Sequence, residues 1–287
     1  MSQYKIITDS CCDLPVDKLQ ALDVTAIPLT LMFRGESRPD AVTDEIREVY
    51  DGLRAGEVAT TSAANPKGWA DVIRPVLEEG KDALVLCFSS GLSTTYQSAV
   101  IAAEELAEEF PQRKISVVDT LCASLGQGLL VWLACDKRDE GLDLEQLTAW
   151  VEETKLHLCQ WFTVDDLMYL KRGGRVSAAT ALVGTMLKIK PVLHVDDEGH
   201  LINVGKVRGR KASIEALAEK AAQLGTADFR ERVAICHGDC LEDAKYLEQL
   251  LKERHGVKEV FIGYTGAVIG SHSGPGTLAV FFLGNER

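Results

Sequence analysis

The sequence predicts an α/β protein made of two α/β domains, the first of which contains a mainly parallel sheet. Three short apolar runs in the first half, residues 4–7, 83–88 and 115–118, have the length of strands. Each run is followed by a polar turn and then by an amphipathic helix. Strands that alternate with helices are typical of a parallel sheet with right-handed crossovers.

The domain division is predicted from length and from a change of pattern. A chain of 287 residues is long enough for one large or two modest domains. The regular alternation stops near residues 155–162, and we place the boundary there. We therefore expect an N-terminal domain at 1–158 and a C-terminal domain at 159–287.

The first half also predicts several elements between these strands. Residues 22–34 are apolar and rich in strand formers, which indicates one or two further strands, and residues 59–62 are predicted to form a polar loop. Asp13 is expected to cap a helix that has Pro15 in its first turn. Further helices are predicted at residues 44–55, 65–79, 96–109, 123–137 and 144–156.

The second half follows a different order. A short helix at 164–171 should stop at Gly173 and Gly174, and residues 178–187 predict a helix that is apolar around most of its circumference. Such a helix is buried, either in ordinary core or along a ligand tunnel. The other predicted elements are a hairpin at 190–207, helices at 214–224 and 241–252, strands at 233–236, 259–263 and 278–282, and a polar turn at 270–276.

Composition and charge limit the classes of function. The net charge of −12 argues against nucleic acid and against general adsorption to anionic membranes, although transient membrane contact through a local basic patch stays open. The sequence shows neither a membrane span nor a signal peptide, so we expect a cytoplasmic protein. Its eight cysteines form no C-x-x-C pair and are expected to be reduced. We expect no metal site, because the residues Cys236 and Cys240 lack a second ligand pair at zinc spacing.

Hydroxyl-bearing residues follow the predicted parallel strands. Thr8 and Ser10 follow the first strand, the run 89–95 follows the second, and Thr120 follows the third. Ligands of open parallel sheets bind beyond these strand ends, where helix N-termini favour anions. Each hydroxyl alone is explained by helix capping. Their clustering, together with residues 60–62, favours a site for an anionic oxygen group.

Two segments of the second half add candidate binding groups. Gly173 and Gly174 separate Arg172 from Arg175, and guanidinium groups match carboxylate or phosphate. A solvated helix C-terminus explains the same residues equally well. His272 lies among glycines and serines, where a histidine can approach a ligand or simply serve a structural turn.

The full chain resembles the DegV family. The resemblance rests on the segments 7–10, 13–15, 61–62, 89–96, 118–120, 166–177, 190–191, 206–211 and 270–276, in this order and spacing. It implies a ligand pocket between the two domains that holds a long-chain fatty acid and needs no other cofactor. Several members of the family are acyl-carrying subunits of bacterial fatty-acid kinases, so the resemblance implies a separate ATP-dependent kinase as partner and no covalent chemistry by this chain.

The resemblance also implies roles for individual residues. Thr61, Ser93 and His272 would hold the carboxylate, with Thr94 as a helper, although the family usually has glycine at position 94. Arg175, with Arg172, would stabilise the phosphate during transfer. Arg208 lies in the basic segment 206–211, and it would face the kinase.

Other functions are compatible with parts of this pattern. A lipid-sensing regulator would use the same pocket, and the sequence does not separate a sensor from a carrier. A serine hydrolase would use Ser93, His272 and Asp119, but the segment 91–95 lacks the last glycine of the G-x-S-x-G turn. A phosphotransferase acting alone is disfavoured, because no phosphate-binding G-x-x-x-x-G-K-[ST] loop is present. Acyl chain length, the identity of the kinase and the oligomeric state are not predicted.

Overall fold

The elements of the fold follow the predicted order closely. The structure, a computed structural model, describes residues 4–43, 45–176 and 188–287. The strands are β1 (Tyr4–Asp9), β2 (Val24–Ile27), β3 (Thr30–Phe33), β4 (Glu36–Pro39), β5 (Thr60–Ser62), β6 (Asp82–Cys87), β7 (Ile115–Asp119), β8 (Leu158–Thr163), β9 (Ile189–Val195), β10 (Leu201–Arg208), β11 (Arg232–His237), β12 (Glu259–Tyr264) and β13 (Leu278–Leu283). The α-helices are α1 (Val16–Ala21), α2 (Ile46–Arg54), α3 (Pro66–Glu78), α4 (Thr95–Glu109), α5 (Leu125–Asp139), α6 (Leu144–Thr154), α7 (Met168–Arg172), α8 (Arg210–Leu224), α9 (Leu241–His255) and α10 (Ala267–Ser273).

The first sheet is the parallel sheet that the sequence predicts. Its strand order is β2-β1-β6-β7, and every pairing in it is parallel. The carboxyl ends of β1, β6 and β7 therefore lie at the same edge, at Asp9, Cys87 and Asp119. This edge presents the polar runs that the sequence singles out. The mixed α/β class and the parallel N-terminal sheet are confirmed.

The second sheet is mostly antiparallel and contains a strand that the sequence does not predict. Its order is β10-β9-β8-β13-β11-β12, and only the β11–β12 pairing is parallel. The strand β8 is buried along its whole length, so its sequence has no alternation of polar and apolar residues. It begins at Leu158, beside the predicted domain boundary, and the division at 158 stays a prediction.

A small third sheet corrects the predicted loop at 59–62. Residues Thr60–Ser62 form β5, which pairs antiparallel with β3 and places Thr61 opposite Leu31. Alternation along a strand points Thr60 and Ser62 to solvent and turns Thr61 inward. Of these three adjacent hydroxyls, the strand therefore turns only that of Thr61 toward the interior.

Helix α5 lies between the two large sheets. It packs against β1 and β6 on one side and against β8, β11 and β13 on the other, and ten of its 15 residues are buried. Small residues permit this close packing, since a Cβ at Gly128 would overlap the carbonyl oxygen of Cys12. The largest hydrophobic cluster accordingly combines residues from Tyr4 to Phe281. No helix in the described parts of the chain is both long and apolar enough to cross a bilayer.

Two further local predictions are wrong, and one lies outside the described residues. Asp13 does not cap α1, because it adopts a left-handed conformation after the turn Ser10–Cys12 and its buried carboxylate accepts a hydrogen bond from Ser124. More than half of the segment 270–276 is helical rather than a turn, since helix α10 continues to Ser273 before Gly274 ends it. The predicted apolar helix 178–187 lies outside the described residues.

Candidate functional site

A cavity of about 410 Å³ opens where the two halves of the chain meet. This volume lies within the range of roughly 300–1,000 Å³ that is usual for small-molecule sites. Residues on both sides of position 158 line it, as expected for a pocket between the two predicted domains. Its apolar wall includes Leu29, Phe88, Leu92, Phe162, Leu201 and Phe281. An apolar ligand with a polar end matches this lining.

Thr61 and His272 meet at the wall of this cavity. Thr61 Oγ1 lies 2.7 Å from His272 Nε2, although the two residues are 211 positions apart. The inward face of β5 supplies the hydroxyl, and α10 supplies the ring. The opposite edge of the ring packs on α7, because a Cβ at Gly173 would overlap His272 Nδ1. Glycine at 173 therefore lets the imidazole approach the backbone, a role that the sequence does not reveal.

The surroundings of His272 keep its imidazole neutral. Burial, together with the positive charges of Arg175 and Arg172, lowers the pKa of His272 from 6.5 to about 4. A neutral ring carries one N–H group, which can donate to an anionic oxygen. An incoming carboxylate would meet this donor in a region that two guanidinium groups make positive.

Ser93 belongs to a loop that other contacts hold in place. Its Oγ lies 2.8 Å from Thr95 Oγ1 and accepts a hydrogen bond from the Thr95 amide at 3.2 Å. The loop is also attached to the turn between β9 and β10, since Ser89 Oγ donates to Gly199 O at 2.9 Å. Ser93 therefore lines the cavity on a loop fixed at both ends.

Thr94 follows Ser93 as the N-cap residue of α4, but its side chain makes no capping hydrogen bond. Thr94 is exposed and also lines the cavity. Its hydroxyl is placed at a rim where both solvent and cavity are accessible.

The three arginines singled out by the sequence occupy different environments. Arg175 lines the cavity, and its Nε donates to Leu92 O at 3.2 Å, next to Ser93. Arg172 is exposed and lies over the ring of Tyr169, with 4.8 Å between the guanidinium carbon and the ring centroid. Arg208 is exposed at the end of β10, and the cavity lining does not include it. The structure thus brings Arg175 and Arg172 near His272 and leaves Arg208 apart.

The geometry does not favour a serine hydrolase. Among the described residues, Ser93 Oγ contacts Thr95, whereas His272 contacts Thr61. Asp119 accepts hydrogen bonds from the amides of Ser90 and Leu121 rather than orienting His272. A nucleophilic serine needs an adjacent base and a third group that orients the base. The three side chains do not form that sequence of contacts.

A buried carboxylate that the sequence analysis missed holds α10 in position. Asp40 Oδ1 accepts from the Val268 amide at 3.2 Å, and its Oδ2 accepts from Ser10 Oγ at 2.7 Å. Carboxylates are favourable at helix N-termini, so Asp40 stabilises the helix that carries His272. Burial raises the pKa of Asp40 to about 6. No local signal reveals this contact, because 228 positions separate Asp40 from Val268.

Comparison with known proteins shows the family of this chain. A model of the DegV family, described as uncharacterised proteins, matches residues 3–285. A DegV domain-containing protein of Clostridium perfringens is 41% identical over 289 residues, which cover 100% of this chain and 99% of that protein. These matches extend over essentially the full length of both proteins.

Solved structures show the same similarity in three dimensions. A DegV lipid-binding protein from Thermotoga maritima has a TM-score of 0.86 and 34% identity, and the match covers 100% of both chains. A DegV family protein from Thermus thermophilus, described by its fatty-acid binding, has a TM-score of 0.85 and 35% identity over 98% of this chain and 99% of that one. The chain therefore belongs to the DegV family.

Proposed function

We propose that this protein binds one long-chain fatty acid in the cavity, with its carboxylate held by Thr61, Ser93 and His272. The observation that carries the proposal is the contact between Thr61 and His272 in the wall of a mainly apolar cavity. The hydroxyls and the neutral imidazole supply donors, and the nearby guanidinium groups favour an anion. The similar proteins from Thermotoga maritima and Thermus thermophilus, which bind lipid or fatty acid, support the same ligand class.

The apolar wall accounts for most of the expected affinity. Burying about fourteen methylenes contributes on the order of 11 kcal/mol at roughly 0.8 kcal/mol each, before the costs of association. A few polar contacts at one end are then enough to orient the ligand. They distinguish a fatty acid from other long apolar molecules.

We further propose that the protein presents the carboxylate to a separate ATP-dependent fatty-acid kinase. Support comes from the polar end of the cavity, where Thr94 is exposed and Arg175 lines the wall. Arg172 is exposed, and its positive charge also lowers the pKa of His272. Guanidinium groups at such a rim are suited to stabilise the charge of a transferring phosphoryl group. Arg208 would contribute to the surface that faces the kinase.

A calorimetric titration tests the binding proposal. The delipidated protein is titrated with oleate and, separately, with oleyl alcohol, which has the same chain and no carboxylate. Oleate should bind at one site per chain, and the alcohol should bind at least about tenfold more weakly, equivalent to ~1.4 kcal/mol. Absence of saturable oleate binding, or equal affinity for the alcohol, would contradict the proposal.

A second assay separates a carrier from a lipid-sensing regulator, which would use the same cavity. The loaded protein is added to a cognate fatty-acid kinase with labelled ATP, and acyl-phosphate formation is measured. A carrier supports turnover that depends on bound fatty acid. A regulator binds the lipid equally well and supports none.

A further inference from the structure

Ser273 is a buried hydroxyl that lines the cavity without a hydrogen-bond partner. It is the last residue of α10, and its side chain is 5% exposed. Its Oγ makes no hydrogen bond to any residue that the structure describes, yet the residue forms part of the cavity wall. Ser271 in the same helix behaves differently, because its Oγ donates to Ala267 O at 2.6 Å. The Ser273 hydroxyl is therefore available to a ligand.

The other buried polar side chains of the wall already form hydrogen bonds with protein groups. Thr277 Oγ1 donates to Gly274 O at 2.7 Å, and Thr265 Oγ1 donates to Cys236 Sγ at 3.1 Å. Ser124 donates to Asp13, and Gln160 bonds the backbone of residues 121 and 123. Among the described residues of the wall, Ser273 is thus the buried polar side chain left without a partner.

An unpartnered buried hydroxyl is unfavourable unless a ligand or a water satisfies it. The proposed partners of the ligand's carboxylate are Thr61, Ser93 and His272, and the hydrocarbon part of an unsubstituted fatty acid offers Ser273 no hydrogen-bonding group. A hydroxyl or oxo oxygen on the acyl chain would supply the missing partner. Bound water would satisfy Ser273 equally for every ligand and would give no selectivity between them.

The position of Ser273 indicates where such an oxygen would lie. Ser273 follows His272 directly, so their Cα atoms are about 3.8 Å apart, and helix geometry turns their side chains about 100° from each other. With the carboxylate at His272, an oxygen within reach of Ser273 would lie near the carboxylate end of the chain rather than at its methyl end.

The geometry points to Ser273 as a specificity residue that favours fatty acids carrying a hydroxyl or oxo group near the carboxylate. This inference rests on the proposed function and narrows its ligand class. The interaction is one hydrogen bond and includes no covalent step.

Separate titrations of two ligands into two proteins test this inference. The delipidated protein and Ser273→Ala are each titrated with palmitate and 3-hydroxypalmitate, and 16-hydroxypalmitate serves as the positional control. The native protein should bind 3-hydroxypalmitate about tenfold more tightly than palmitate, and 16-hydroxypalmitate should show no such gain. Ser273→Ala should bind the two main ligands within about twofold of each other.

Two further variants keep the test decisive. Ser271→Ala removes a neighbouring hydroxyl whose bond stays within the helix, so it should retain the preference. Ser273→Thr keeps the hydroxyl and should also retain it, which covers the case in which the alanine variant does not fold. Equal binding of palmitate and 3-hydroxypalmitate by the native protein, or a preference that survives in Ser273→Ala, overturns the inference alone. Failure of both acids to bind overturns the proposed function as well.

Discussion

The substitution Thr61→Val tests the proposed carboxylate site with little change of shape. Valine keeps the β-branched form that suits strand β5 and replaces the hydroxyl with a methyl group. The change removes the oxygen that lies 2.7 Å from His272 Nε2. It leaves the apolar part of the cavity intact, so any loss of affinity reports on the head group.

The expected magnitude follows from the hydrogen bond that is lost. A hydrogen bond to a charged group contributes about 1.5–3 kcal/mol. Since each ~1.4 kcal/mol is a factor of ten, the Kd for oleate should rise roughly 10- to 150-fold. Part of the effect comes from His272, because its ring loses the contact that orients it.

The matched control is Thr60→Val in the same strand. Thr60 is exposed and points away from Thr61, so the identical chemical change should leave the Kd unchanged. Calorimetry with oleate measures both variants, and thermal unfolding confirms that they fold. Unchanged affinity of Thr61→Val, or equal losses in both variants, would refute the assignment of Thr61.

Three other predictions follow from the same site. The double variant Ser93→Ala, His272→Ala should fold and lose roughly 3 kcal/mol or more of binding free energy in calorimetry, because two donors are removed; unchanged affinity would place the head group elsewhere. Arg175→Ala should bind oleate almost normally but form acyl phosphate about a hundredfold more slowly with a cognate kinase; loss of lipid binding would instead show that its bond to Leu92 O positions the Ser93 loop. The His272 ring in the delipidated protein should titrate with a pKa near 4 in an NMR experiment, and bound carboxylate should raise that pKa. Because the complex then holds the proton more tightly, the contribution of His272 should strengthen binding as the pH falls between the two pKa values, and an unshifted pKa would contradict the contact.

The elements that could be predicted from the sequence are those with a recognisable local pattern of apolar and polar residues. The strands β1, β6 and β7 are short apolar runs followed by polar turns, and the structure contains all three. Strand β8 was missed because burial on both faces removes alternation. Strand β5 was missed because its three residues are polar and its pairing with β3 is a tertiary contact.

The residue types of the candidate site are visible in the sequence, but the contacts that support them are not. Hydroxyls at strand ends indicated an anion site, and the family resemblance singled out Thr61, Ser93 and His272. Helix α10 was mistaken for a turn, since glycine and serine have low helix propensity. Asp40 stabilises that helix from a distant part of the chain, and Gly173 provides the surface for its histidine. Neither interaction leaves a periodic or spaced pattern in the sequence.

The most direct test of the central claim is mass spectrometry of small molecules extracted from the purified protein under denaturing conditions. We expect close to one long-chain fatty acid per chain, and uptake of added oleate or palmitate by protein that has been stripped of lipid. Extracts without stoichiometric fatty acid, together with no uptake of either acid, would contradict it.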